Sequence, residues 1–181
     1  MKSKTSKFLC TALVAAALFM GSNVKAQSTT PNPLRFGIGV EGLLPVGDAS
    51  NTLNFGLGIT PRLQYTVSDK VALTFTSGLY HFFPKTLTYP SVGSSSSYSV
   101  KYKSDIIPVK VGAKFFVCPH FYLSGEVGAA FEVAEGGGPV HFLASPGFGF
   151  ANKKWDIGAR YENYNGNDGL VGLRLAYGFG L

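Results

Sequence analysis

The residues that could carry chemistry are few, and their spacing supports no catalytic or metal-binding arrangement. His81, His120 and His141 fall in separate segments without metal-like spacing, and they form no Ser-His-Asp set that the sequence can defend. Glu126 and Glu132 have the same parity in one alternating segment, as an acid–base pair would require. Six residues of strand, however, place them about 20 Å apart, too far for glycoside hydrolysis. We therefore expect no enzyme activity, no metal site and no cofactor.

A glycine motif offers one further candidate. Gly37, Gly39 and Gly42 match the G-x-G-x-x-G fingerprint of dinucleotide-binding folds. That fingerprint works only where a strand turns into a helix, so that the pyrophosphate meets the helix N-terminus. Here the glycines lie inside a segment of alternating polarity, and the sequence predicts a structural role for them.

The charged residues share a common parity. Within segments of alternating polarity they all lie on the face opposite the aliphatic and aromatic side chains, and bases and acids are nearly balanced. An unpaired buried charge costs several kcal/mol, so a closed interior needs acids and bases in nearly equal number. The balance in this sequence therefore favours a closed polar interior. The predicted interior network consists of Arg35, Glu41, Arg62, Lys110, Lys114, Glu126, Glu132, Asp156, Arg160, Glu162 and Arg174.

Eight runs with period-2 alternation must position these residues. Most are close to the length of a tilted transmembrane strand, ~9–11 residues. Connections after the second, fourth and sixth runs are short, whereas those after the others span residues 45–54, 84–106, 134–139 and 162–169. Short turns at one end and long loops at the other are typical of transmembrane barrels. The runs are 34–42, 55–67, 71–83, 107–117, 121–133, 140–150, 155–161 and 170–181.

Alternation alone also fits a soluble barrel with an apolar interior. Three features favour the opposite orientation: the balanced charges share one face, glycines concentrate on that face, and bulky aromatics gather near the short turns. A narrow eight-stranded interior needs small residues between long charged ones, and aromatic girdles mark membrane interfaces. The sequence therefore predicts an all-β fold, an eight-stranded antiparallel up-and-down transmembrane β-barrel with its apolar face toward lipid.

The N-terminal residues are typical of a secretory signal peptide. Lysines precede an apolar run at Phe8–Met20, which is too short to span a membrane, and small residues follow at 24–26. We predict a cleaved signal peptide at residues 1–26, a short lead-in at 27–33 and the barrel at 34–181. The net charge of +6 comes largely from four lysines of this leader, so it indicates no nucleic-acid partner.

The chain resembles the small outer-membrane barrels known as porin-family or OmpX-like proteins. The segments that carry the likeness are Phe36–Gly42 with Pro45–Asp48, Ile107–Phe116, Trp155–Glu162 and Leu175–Leu181. The resemblance implies an outer-membrane location and recognition of the last strand by the barrel-assembly machinery. The final residue is Leu181, with Phe179 two before it, where the family usually ends in Phe.

The longest connection, 84–106, is the one place where the sequence exposes a possible contact surface. A serine run is flanked there by aromatic and basic residues that could meet an extracellular ligand or lipopolysaccharide phosphates. The alternative is a solvated loop or a protruding hairpin without a dedicated ligand. The candidate contact residues are Lys85, Tyr89, Tyr98, Lys101, Tyr102 and Lys103.

From these features we expect a non-enzymatic, monomeric outer-membrane barrel in contact with membrane lipid. Its predicted role is structural or surface-interactive, through envelope integrity, adhesion or loop-mediated binding. The alternative is a narrow porin-like transporter of small solutes, if the interior charges can part.

Overall fold

A computed structural model shows an antiparallel sheet that closes on itself. The structure describes residues 33–85, 87–90, 97–100, 104–133, 138–164 and 168–180. A short 3-10 turn at Asp48–Asn51 follows the first strand. The strands are β1 (Leu34–Gly47), β2 (Leu53–Ser68), β3 (Val71–Ser77), β4 (Leu79–Pro84), β5 (Leu87–Pro90), β6 (Ser97–Val100), β7 (Ser104–Phe116), β8 (Phe121–Val133), β9 (Val140–Ala151), β10 (Trp155–Tyr164) and β11 (Asp168–Gly180).

Closure results from the double pairing of β1. This strand pairs with β11, from Arg35↔Gly180 to Gly47↔Asp168, and on its other side with β2. β3 and β4 are two halves of one spanning strand, because both lie between β2 and β7. The described strands therefore form a closed barrel of eight spanning strands, which confirms the predicted fold class and leaves its sheet without a free edge.

Gly78 separates the two halves of the third spanning strand. The predicted single run, 71–83, is thus interrupted, although its pairing with β2 keeps one register from Arg62↔Thr76 to Ile59↔Leu79. A Cβ at Gly78 would lie 2.2 Å from the carbonyl oxygen of Ile59. The close approach of the two strands therefore requires glycine here.

Two predicted loops are wrong because the strands extend into them. β1 continues to Gly47 and β2 begins at Leu53, so little of the predicted 45–54 loop remains. β10 continues through Glu162 to Tyr164, inside the predicted 162–169 loop, and β11 begins at Asp168. Prolines and glycines suggested turns locally, but neighbouring strands supply pairing partners, as in Pro45↔Leu170.

The predicted 84–106 connection contains a hairpin. β5 and β6 pair from Leu87↔Val100 to Pro90↔Ser97 and form a separate two-stranded sheet. β7 then begins at Ser104, before the predicted start at Ile107. Of the two forms considered for this connection, the described residues show the hairpin.

The predicted signal peptide and most of the lead-in lie outside the described residues, as does Leu181. No helix among the described residues is long and apolar enough to cross a membrane.

The two faces of the barrel wall have opposite chemistry. Leu173 and Ile59 point outward and are each 61 % exposed, whereas their chain neighbours Arg174 and Thr60 are buried in the interior. The same alternation recurs along the other spanning strands. An exterior of this kind is suited to lipid, since every backbone hydrogen bond of a closed barrel is made within the sheet.

Candidate functional site: the barrel interior

The interior network has an upper part, nearer the loop end, and a lower part, nearer the short turns. Glu162 is the central acid of the upper part. Its carboxylate accepts hydrogen bonds from Lys110 Nζ at 2.5 Å, Arg160 Nε at 2.7 Å, Tyr164 OH at 2.6 Å and Tyr80 OH at 3.2 Å. Both Lys110 and Glu162 have no exposed surface. Since β7 and β10 are separated by two strands, the Lys110–Glu162 pair crosses the interior.

Glu41 extends this network to β1 and β2. It accepts a hydrogen bond from Thr60 Oγ1 at 2.6 Å, pairs with Arg160, and has Arg174 Nε at 3.4 Å. Arg174 in turn donates from Nη2 to the carbonyl oxygen of Thr60 at 3.2 Å. One acid is therefore shared between two guanidinium groups on different strands.

The lower part of the network lies toward the short turns and has two acids. Arg62 Nη2 lies 3.1 Å from both carboxylate oxygens of Glu126, and two threonines also donate to that carboxylate. Asp156 pairs with Lys114 and accepts a hydrogen bond from Tyr122 OH at 2.6 Å. Lys110 Nζ, 3.8 Å from Glu126, joins the upper and lower parts.

Glycines make room for the long interior side chains. A Cβ at Gly39 would lie 2.7 Å from Arg174 Nε, and one at Gly58 would lie 2.7 Å from the Tyr80 ring. The three glycines of the G-x-G-x-x-G motif lie within β1, and two of them, Gly37 and Gly39, are on its interior face. They create space for charged and aromatic groups in a narrow barrel.

Two predicted network residues lie at the ends of the interior, apart from its centre. Arg35, near the short turns, donates from Nη1 to the carbonyl oxygen of Asn152 at 2.8 Å. Glu132, at the loop end, has His141 Nε2 at 3.4 Å, and its side chain is 38 % exposed. The other nine predicted residues lie together in the interior, with direct contacts linking their charged groups.

The sequence-based analysis missed the uncharged members of this network. Tyr80, Tyr122 and Tyr164 each donate to a buried carboxylate, as do Thr60, Thr74 and Thr76. Their signal was available, because each shares the strand parity of the charged residues. Parity alone, however, could not say which polar side chains would meet across the barrel.

An apolar layer lies above the charges, toward the loop end. Leu43, Phe82 and Leu143 are buried, and each lies beyond the ionic residues in the direction of the long connections. The remaining members of this layer are Ile106, Ala130 and Leu170, with the rings of Tyr80 and Tyr164. The interior is therefore not polar throughout, contrary to the sequence-based expectation.

A contact between a histidine and an acid lies on the outer face of the described barrel. His81 Nδ1 is 2.6 Å from Asp105 Oδ1, on neighbouring positions of β4 and β7 near the loop end. The ring of His81 packs edge-on against Phe83, with centroids 5.0 Å apart. β7 starts earlier than predicted, so Asp105 lies within the strand and on its outward face. It is an exception to the prediction that all charged strand residues lie on the interior face.

The predicted contact residues of the 84–106 connection are only partly described. Lys85 Nζ donates to the carbonyl oxygen of Ser50 at 2.6 Å, which joins two connections at the loop end. Tyr89 and Tyr98 occupy paired positions in the β5–β6 hairpin. Lys101, Tyr102 and Lys103 lie outside the described residues.

The described geometry of the interior holds its charged groups in fixed positions. Its acids are each bound by several donors, and no group of three metal-ligating side chains occurs in the described ranges. His81, His120 and His141 lie in different strands and turns. The interior bases and acids form ion pairs that offset most of one another's charge.

Comparison with known proteins shows similarity at the level of fold. No known family and no curated protein sequence matches the chain. The outer-membrane protein Ail of Yersinia pestis, in a phospholipid bilayer nanodisc, is similar with a TM-score of 0.54 and 15% identity, over 80% of this chain and 99% of Ail.

Two further solved structures agree. The crystal structure of Ail, the attachment invasion locus protein of Yersinia pestis, gives a TM-score of 0.51 at 14% identity, over 82% of this chain and 99% of Ail. A de novo designed transmembrane β-barrel gives 0.50 at 15% identity, over 85% and 99%. The chain therefore has the fold of the small eight-stranded outer-membrane β-barrels.

Proposed function

We propose that this chain is an exported, non-enzymatic outer-membrane barrel with a closed interior, whose role is structural or depends on contacts made at its loop end. The observation that carries the proposal is that buried side chains lie in two successive layers along the interior. Buried ion pairs occupy the part toward the short turns, and the apolar layer around Leu43, Phe82 and Leu143 lies above them.

The ionic layer opposes a passage because its bonds cross the barrel. Lys110 and Glu162 meet from strands that are not neighbours, and Arg62 on β2 reaches Glu126 on β8. Moving a solute through would break such pairs, and removing one partner of a buried pair costs about 3–5 kcal/mol. The apolar layer adds a second barrier to ions, because it offers no groups to replace their hydration.

The exterior supports contact with outer-membrane lipid. Aromatic side chains predicted to mark the lower interface lie on the outer face near the short turns, where Trp155 packs edge-on against Tyr177 with centroids 5.2 Å apart. At the other end, Phe55 stacks on Phe83 at 4.5 Å. Export through the residue 1–26 signal peptide, insertion by the barrel-assembly machinery and a monomeric state are parts of the same proposal.

The loop end is the proposed surface for an extracellular partner. The β5–β6 hairpin is a two-stranded sheet of its own, and such a sheet can present backbone groups at its edges to an extended peptide. This makes surface interaction the more specific form of the proposed role, with no nucleic acid among the expected partners.

Electrical recording in planar lipid bilayers tests the closed interior. Purified protein is inserted alongside a known porin as a positive control for insertion, and the unboiled gel mobility of the same sample reports the folded barrel. We expect no discrete ion-conducting steps. Stable steps from the folded protein would contradict the proposal and favour the narrow transporter.

A further inference from the structure

A small cavity at the short-turn end of the interior has an unusual lining. Its volume is about 20 Å³, and its polar lining comes from Arg35, Arg62, Arg174, Gln64 and Asp156. A space of this size holds one water-sized or monatomic particle. The lining groups are nearly all hydrogen-bond donors, and Asp156 provides its only charged acceptor.

Arg35 has an unused donor at this cavity. Its Nη1 binds the carbonyl oxygen of Asn152, but Nη2 is fully buried and has no hydrogen-bond partner among the described residues. Gly178 lies directly against this guanidinium, since a Cβ there would be 2.2 Å from Arg35 Nε. A buried donor without an acceptor costs about 1–3 kcal/mol, and more when it is charged.

Arg62 and Arg174 each direct one further nitrogen toward the same region. Their Nη1 atoms lie 3.9 Å and 3.7 Å from Asp156 Oδ2, which is too long for hydrogen bonds. Asp156 is already engaged by Lys114 and by Tyr122. Three guanidinium groups thus line a cavity whose single carboxylate also binds Lys114 and Tyr122.

The charge of the enclosed interior points the same way. Arg35 and Glu132 are left out because each lies at an end of the interior and is partly exposed. The remaining bases outnumber the acids by one, and a buried net charge is costly unless a counter-ion neutralises it. The bases are Arg62, Lys110, Lys114, Arg160 and Arg174, and the acids are Glu41, Glu126, Asp156 and Glu162.

We propose that this cavity is a binding site for a single monatomic anion of the halide class, held by the guanidinium groups of Arg35, Arg62 and Arg174. Three guanidinium groups against one carboxylate favour an anion over a cation, and the small volume favours a monatomic ion over phosphate or sulfate. The site lies near the short-turn mouth, and it is independent of the proposed surface role. The anion completes the neutralisation that the protein's own acids leave unfinished.

The test compares unfolding in two sodium salts and locates the ion directly. Urea unfolding of the full barrel in lipid vesicles is measured in chloride and in isethionate, a bulky monovalent anion, at equal ionic strength. Well above the dissociation constant, each tenfold rise in chloride should raise the folding equilibrium constant about tenfold. Crystals soaked in sodium bromide should show an anomalous peak within hydrogen-bonding distance of Arg35 Nη2.

Two variants of equal charge distinguish a site from general screening. Arg35→Gln removes the unused donor and should abolish the difference between chloride and isethionate, with folding checked by unboiled gel mobility. Lys154→Gln removes one positive charge from an exposed turn at the same end and should preserve the difference. Equal unfolding curves of the native chain in both salts, absence of the bromide peak, or loss of the difference in Lys154→Gln would each overturn the proposal.

Discussion

At the scale of single residues, the interior acids act as junctions between distant strands. Glu162 receives donors from β4, β7 and β10, and Glu126 receives them from β2 and β3 while lying on β8. Each carboxylate therefore fixes the position of several donors. Because these groups are buried, such contacts are stronger than surface ion pairs, and their loss is correspondingly costly.

Substitution of the most buried junction should have a large effect. Glu162→Gln leaves Lys110 and Arg160 without their shared carboxylate, and we expect the free energy of unfolding to fall by about 3–5 kcal/mol. Urea titration in lipid vesicles, followed by tryptophan fluorescence from Trp155, measures the change. Glu132→Gln is the matched control, because its partly exposed pair with His141 should contribute less than about 1 kcal/mol. Equal losses in both variants would show that burial of the network does not strengthen it.

At the scale of strands, alternation in the sequence identified every spanning element, because side chains of a strand alternate between two faces regardless of its partner. Strand ends were less predictable. Pro45 and Gly47 are turn-forming residues locally, yet β11 pairs with both positions. Gly78 interrupts a strand only because a carbonyl of β2 comes close to it. Such features depend on neighbours far along the chain, and local composition does not record them.

Two glycines on adjacent strands test how closely the strands approach on each face. Gly112→Ala would place a Cβ 2.1 Å from the carbonyl oxygen of Gly125, so we expect overpacking to destabilise the barrel by about 1–3 kcal/mol. Gly125→Ala, on the outer face, has no neighbour within 4 Å and should be neutral or stabilising by up to about 1 kcal/mol. The urea concentrations at the unfolding midpoints of the two variants measure the difference in stability. A smaller loss for Gly112→Ala than for Gly125→Ala would refute the assignment of faces.

At the scale of the whole molecule, the barrel has an apolar exterior and an interior divided into two layers. The sequence predicted the polar layer, since charged residues with one parity must meet inside a closed sheet. It did not predict the apolar layer. Leu43 lies just past the predicted end of its strand, and its contact with Phe82 and Leu143 depends on the tilt and stagger of three different strands.

Placement in a membrane makes substitutions on the outer face depend on depth. Leu173→Arg puts a charge at mid-strand on the outer face, and we expect it to destabilise the barrel by about 2–4 kcal/mol in lipid. Val140→Arg, equally outward but at the loop end of β9, should cost about 0–1 kcal/mol. Unfolding in vesicles measures both, and a tolerated Leu173→Arg in membrane-embedded protein would rule out a lipid-facing exterior.

The β5–β6 hairpin forms its own sheet, apart from the pairing that closes the barrel. Its sequence is therefore under little constraint from the barrel's stability, whereas nearly every interior position is fixed by a partner across the wall. Substitutions in this segment can thus accumulate from one generation to the next while the barrel wall is inherited unchanged. The same separation makes the hairpin a suitable place to insert a foreign peptide without disturbing the closure of the barrel.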